Sequence, residues 1–226
     1  MAASEKVIQL RQLLAGKFPA AHAARPRTRD AFHTCLPRLD DIGLPKGELT
    51  ELVSEHASTG VATLLATLVE SALRAPHHVA LIDGRDSFDP QSVSADACRN
   101  LLWARCRNAL EAGKAADLIL RDGNLPFILL DLRANPVREV RRLGSPVWYR
   151  LQTLARHSSV TCLVLTPAKI VSSARLRITV ARSRSLAEVD LRRDRLVQDL
   201  ELPVTRRRET AGDLVANEQH DRQVAG

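Results

Sequence analysis

The sequence predicts an α/β domain: a mostly parallel central sheet flanked by helices, with a C-terminal antiparallel hairpin and a short N-terminal helix. Three observations predict it. First, five short apolar runs, Leu49 to Val53, Val79 to Asp83, Leu101 to Cys106, Phe127 to Leu132 and Val160 to Thr166, are separated by helical segments. Strands that are apolar along their length are covered on both faces, which is the environment of a parallel sheet. Second, the pattern then changes. Leu176, Ile178 and Val180 alternate with Arg175, Arg177 and Thr179, and Val189 and Leu191 alternate with Glu188, Asp190 and Arg192. That alternation reads as a hairpin with one buried and one wet face, with Arg175 and Arg177 pairing across strands with Glu188 and Asp190. Third, Val7, Leu10 and Leu14 recur at helical spacing in SEKVIQLRQLLA, and Gly16 stops the run.

In chain order, residues 1–16 hold the N-terminal helix, and residues 17–37, rich in Ala, Arg, Pro and His without a period, read as a linker. Residues 38–203 form the core. It opens with the strand Leu49 to Val53, a polar loop, and a nearly all-apolar helix from Thr63 to Leu73 that must be buried against the sheet. Gly84 to Pro90 is a turn-rich loop. Asn108 is placed to cap a helix running to Asp122, and a further helix covers Trp148 to His157. Residues 204–226 are polar and basic and read as a flexible tail.

Length and composition set limits on function. At 226 residues the chain holds one substantial domain with short extensions, and 45% apolar with 26% charged residues is ordinary globular balance. No apolar run is long enough for a membrane helix, and Glu5 and Lys6 interrupt any leader-like core, so the expectation is a cytoplasmic protein without a membrane partner. Cys35, Cys98, Cys106 and Cys162 lack CxxC spacing, so no metal site is expected and Cys106 and Cys162 read as reduced core thiols. A net charge of +7 permits nucleic-acid contact, whereas 3% aromatic content argues against a base-stacking platform.

The strand, loop and helix at residues 49–73 occur in the order that holds phosphate in P-loop proteins, where backbone N–H groups and a helix N-terminus converge on one anion. That chemistry needs GxxxxGK[ST], and the places are held by Glu55, Ser58, Thr59, Gly60, Val61 and Ala62. Only Gly60 survives. Val61 replaces the lysine that meets the outer phosphates, Ala62 replaces the hydroxyl that binds magnesium, and Glu55 adds negative charge. No nucleotide cofactor is therefore expected.

From Leu39 to Leu191 the ordered set of motifs resembles the RecA-type recombinase core. GLPKGELTEL is similar to the entry to the phosphate-loop strand, LIDGRDSFDP to the segment carrying the catalytic glutamate, FILLD to the Walker B strand, and WYRLQTLARHSSVTCLVLTP to the helix and strand ending on a γ-phosphate sensor. The resemblance implies a RecA-like fold whose catalytic parts are lost. Arg85 stands where the family has its water-activating glutamate, Pro167 where it has its sensor glutamine, and Asp131 alone remains, either to hold magnesium or to cap the following loop. The family's second DNA loop is reduced to Ala168 to Ser173, and the first is represented by Arg133, Arg138, Arg141 and Arg142. Arg206, Arg207 and Arg208 are a further candidate contact to DNA or to an acidic protein.

Within that superfamily the chain is most similar to the ImuA family, RecA-like accessory proteins of bacterial damage-induced mutagenesis. This implies a non-catalytic role in DNA repair and the SOS response, scaffolding translesion synthesis with an ImuB-like Y-family polymerase homologue, an error-prone polymerase and, as a further candidate, RecA. Weak, non-specific DNA binding is expected, and Val7, Leu10 and Leu14 are candidates for docking a partner, with packing on the chain's own core as the alternative. Two other readings compete. One is a divergent ATP-binding ATPase in which Lys46 or Arg85 replaces the lost lysine, although Lys46 precedes the strand, at the wrong end for a phosphate loop. The other is an SOS cell-division inhibitor.

Overall fold

The computed structural model describes residues 31–56, 59–75, 77–180, 182–188 and 190–206. Its strands are β1 (Ala31–Phe32), β2 (Leu44–Pro45), β3 (Leu49–Val53), β4 (Val79–Asp83), β5 (Leu101–Arg105), β6 (Phe127–Asp131), β7 (Thr161–Thr166), β8 (Leu176–Thr179) and β9 (Val204–Arg206). Its α-helices are α1 (Pro37–Ile42), α2 (Val61–Ser71), α3 (Ala95–Arg99), α4 (Ala109–Asp122), α5 (Val137–Arg141), α6 (Gly144–Ser158) and α7 (Arg193–Gln198). A seven-stranded sheet runs in the order β5-β4-β6-β7-β3-β8-β9, parallel throughout except for β9, which returns antiparallel to β8. β1 and β2 form a separate antiparallel ribbon.

Every residue of β3, β4, β6 and β7 is buried, as their continuous apolar character requires. One face of the sheet packs with α2, α3 and α7 around Leu52, Leu65, Leu81, Leu129 and Leu163. The other packs with α4, α5 and α6 around Ile82, Ile128, Leu130, Val164 and Trp148. α4 forms where its signals predict. Asn108 Oδ1 accepts from the Glu111 N–H at 2.9 Å, and Gly123, at φ 71°, ends the helix in the left-handed conformation. Its buried face is small over the first turns, Ala109, Ala112, Gly113 and Ala116, before Leu120, so the neighbouring chain can approach closely there: a Cβ on Gly113 would lie 3.4 Å from Leu143 Cδ2.

The antiparallel pair at the C-terminus is present, with a different second strand from the one expected. Residues 186–188 form a 3-10 turn, and the partner of β8 is Val204–Arg206, with Ile178 opposite Val204. The physical reason lies in the arginines. Arg177 Nε reaches Glu51 Oε2 at 2.5 Å and Arg175 reaches Glu48 at 3.5 Å, both acceptors on the side of β3, while Glu188 bonds Arg182 at 2.9 Å. β8 is thus held parallel to β3, and the chain must travel through α7 before it returns. The sheet consequently extends three residues into the segment read as tail, and Ala31–Phe32, within the stretch read as linker, form β1. Val7, Leu10, Leu14, Arg207 and Arg208 lie outside the described residues.

Candidate functional site

Parallel sheets place their binding sites beyond the carboxyl ends of the strands, because loops and helix N-termini converge there. At that edge a cavity of about 520 Å³ opens between the ends of β3, β6 and β7 and the start of α2. Glu55, Thr59, Gly60, Val61, Ala62 and Arg133 all line it, together with Pro167. A second cavity of about 270 Å³ shares Ala62, Ser87 and Arg133 with the first and extends along α2 to Phe88 and Arg193. The structure therefore gathers five of the six residues that stand at the place of the phosphate loop. Ser58 lies outside the described residues.

The helix starts as a phosphate loop's helix does. Gly60, at φ 82°, precedes Val61, and no side chain caps the first turn of α2. The charged groups that would complete the site are absent or engaged elsewhere. Val61 is buried in the apolar core under α2 while it also lines the cavity, so an apolar side chain meets the cavity at this position. Thr59 is buried, with its hydroxyl 2.7 Å from that of Ser54. Lys46 lies in the turn before β3, at the opposite end of the sheet from the cavity.

Two carboxylates end adjacent strands in register, Asp83 on β4 and Asp131 on β6. Each is buried and turned back on its own loop. Asp83 accepts from the Phe88 N–H at 2.8 Å, and from the Arg85 N–H and the Ser87 hydroxyl at 3.3 Å each. Asp131 accepts from the Arg133 N–H at 3.1 Å and from its guanidinium at 2.9 and 2.6 Å. Of the two roles open to Asp131, the geometry therefore shows loop capping, and the same pair neutralises Arg133, which both cavities share. Arg85 does not line either cavity. Its Nη1 donates to the Arg107 carbonyl at 3.0 Å, on the outer side of β4 and β5.

Three buried polar residues hold the loops at the two ends of the sheet. Glu51 is fully buried. Its Oε1 accepts from the Thr166 hydroxyl at 3.0 Å and from the Ile170 and Val171 N–H groups at 2.7 and 3.0 Å, so it ties down the short loop after β7. Gln152 on α6 accepts from the Leu49 N–H at 3.0 Å and donates to the Gly47 carbonyl at 3.2 Å, fixing the start of β3. Asn135 donates to the Gly84 carbonyl at 2.9 Å, and a Cβ on Gly84 would lie 2.4 Å from Asn135 Oδ1, which explains a glycine there. A polar residue inside an apolar run, as in LTELV, was the available signal for Glu51.

The basic residues do not form one surface. Arg133 turns inward, Arg138 and Arg141 stand exposed on α5 with Arg142 just past its end, and Arg206 belongs to β9 at the far edge of the sheet. Cys106 and Cys162 are free and buried, and burial pushes the Cys162 thiol up to about 12. Among the described residues no three His, Cys, Asp or Glu side chains are grouped to hold a metal ion, and no helix is long and apolar enough to cross a membrane. No protein-family model matches the chain, and no curated protein matches it.

Proposed function

We propose that this protein is a non-catalytic, RecA-like accessory factor of a bacterial DNA-damage response, acting through its surfaces in error-prone translesion synthesis. One observation carries the first half of the reading. At the place of the phosphate loop the helix begins on Gly60-Val61-Ala62, with the Val61 side chain in the core and both strand-end carboxylates occupied by their own loops. Phosphoryl transfer relies on positioned cations and a water-activating group, and here these have been replaced by groups that stabilise the fold. The second half, the damage response and its partners, rests on the order of sequence motifs. The partners proposed are an ImuB-like Y-family polymerase homologue, an error-prone polymerase and RecA.

Two measurements test the two halves. Purified protein is expected to release no phosphate from ATP above buffer, with or without single-stranded DNA. A rate that disappears in Asp131→Asn would replace this reading by the divergent-ATPase one. Tagged protein is expected to retain the polymerase homologue from cells with damaged DNA, and retention unchanged by Leu10→Asp with Leu14→Asp would exclude the N-terminal segment as the docking element.

A further inference from the structure

Most arginines of this chain that can be followed are spent on its own backbone or carboxylates. Arg38 donates to the Gln198 carbonyl, Arg193 to that of Ser92 and Arg184 to that of Leu196, while Arg105 grips Asp86 and Arg150 grips Asp117. A smaller group is left over among the described residues: Arg74 and Arg195 stand apart, and the other four are gathered at one corner. α5 lies along the first turn of α4. Glu139 accepts from the Ala109 N–H at 2.5 Å and from Asn135 at 3.2 Å, and Leu143, just past α5, packs at Gly113. Val140 and Leu143 face the core, so Arg138, Arg141 and Arg142, spaced i, i+3 and i+4, share the exposed side.

Arg107 stands just before α4, exposed like Arg85, whose guanidinium bonds its carbonyl. Among the described residues the guanidinium groups of Arg107, Arg138, Arg141 and Arg142 have no acceptor. The neighbouring acids are engaged: Glu139 as above, and Glu111 with the Arg107 N–H at 2.9 Å. Asp83 and Asp131 are buried under their own loops.

We infer that this corner, Arg85, Arg107, Arg138, Arg141 and Arg142, is a docking surface for the phosphodiester backbone of nucleic acid. The inference rests on the accessory-factor reading and revises its DNA contact: Arg133 leaves the surface and Arg85 and Arg107 join it. Charge is what the corner offers. Val140 and Leu143 are turned inward, and Leu110 in the first turn of α4 is exposed beside the arginines; a single leucine falls short of the apolar centre that protein interfaces use, whereas a phosphate backbone needs only cations in sequence-independent array. No aromatic side chain is interleaved with the arginines, so the contact should be indifferent to base identity.

The test uses the full chain and a fluorescent single-stranded oligonucleotide of mixed sequence, titrated over a salt series. Each lost phosphate contact should lower the logarithmic salt slope by about 0.7. Arg138→Ala with Arg141→Ala and Arg142→Ala is therefore expected to lower it by about 2.1, and Arg85→Ala with Arg107→Ala by about 1.4. Thermal unfolding of each variant confirms that it is folded; these side chains are exposed, so folding should survive. The inference is overturned if folded corner variants keep the parent slope, if the loss appears only in Arg206→Ala with Arg207→Ala and Arg208→Ala, or if the parent ignores the oligonucleotide while binding a polyglutamate peptide. None of these outcomes touches the partner-retention and phosphate-release results, so the corner can fail while the accessory reading stands.

Discussion

Glu51 Oε2 and Arg177 Nε meet at 2.5 Å between β3 and β8, and the same arginine donates from Nη2 to the Val171 carbonyl at 3.3 Å. One buried carboxylate thereby joins two strands and the loop that precedes the second. Glu51→Ala would leave three donors without an acceptor and a partly buried guanidinium without its partner. Removing one member of a buried pair costs about 3–5 kcal/mol, and urea unfolding of Glu51→Ala should show a loss in that range. Glu51→Leu with Arg177→Leu is expected to recover part of it. A single variant within about 0.5 kcal/mol of the parent would mean that the clasp is incidental.

Placing a lysine at position 61, where a phosphate loop would carry one, should harm the protein without giving it phosphoryl-transfer activity. Val61 is 2% exposed and packs in the core under α2, so Val61→Lys buries an ammonium among leucines. The expected result is a loss of about 2 kcal/mol or more in denaturant unfolding and no phosphate release from ATP. Turnover in this variant would show that the lysine alone was missing.

Gly84 is predicted to resist even alanine. An added Cβ would meet Asn135 Oδ1 at 2.4 Å, Leu132 Cδ2 at 2.8 Å and the Asp131 carbonyl at 2.9 Å, and the last of these is backbone. Overpacking of this kind costs about 1–3 kcal/mol. Gly84→Ala with Asn135→Ala should be less destabilised than the sum of the two single variants, as contact between the sites demands. Simple additivity would place the strain elsewhere.

The Cys162 thiol gives a signature at high pH. Burial raises it from 9.0 to about 12, so above pH 9 the unfolded chain loses a proton that the folded chain keeps. Stability should therefore fall as pH rises from 9 towards 12, by up to about 1.4 kcal/mol per pH unit from this group. Unfolding of Cys162→Ala should be less steep over the same window, and the thiol should resist alkylation until the chain unfolds. Equal slopes for parent and variant would contradict the burial.

How much was legible depended on whether a residue's role was local. The strands from Leu49, Val79, Leu101, Phe127 and Val160 could be read because each run is apolar by itself, and Asn108 because a cap is a matter of three residues. The partner of β8 could not. Alternation in Leu176, Ile178 and Val180 says that one face is buried, but which chain lies alongside was decided by Arg177 finding Glu51. The site divides in the same way. That a valine stands where a phosphate loop would carry lysine is visible in sequence, whereas the capture of Asp131 by Arg133, two residues on, depends on rotamers that sequence does not specify. Arg85 and Arg107 stayed unremarked as a pair because only the parallel pairing of β4 with β5 brings them together.

The position of β3 sets the order in which this protein can be made. Leu49 pairs with Cys162 and Thr50 with both Leu163 and Leu176, so the first long strand to leave the ribosome finds its neighbours only after the last ones have been synthesised. Pairings that close such long loops are slow to form and leave apolar strands waiting unpartnered. During that interval LTELV, followed by the apolar helix α2, is a natural client for a chaperone. Glu51, the residue that later clasps Arg177, meanwhile keeps a charge in the middle of the exposed strand and opposes its association with other chains.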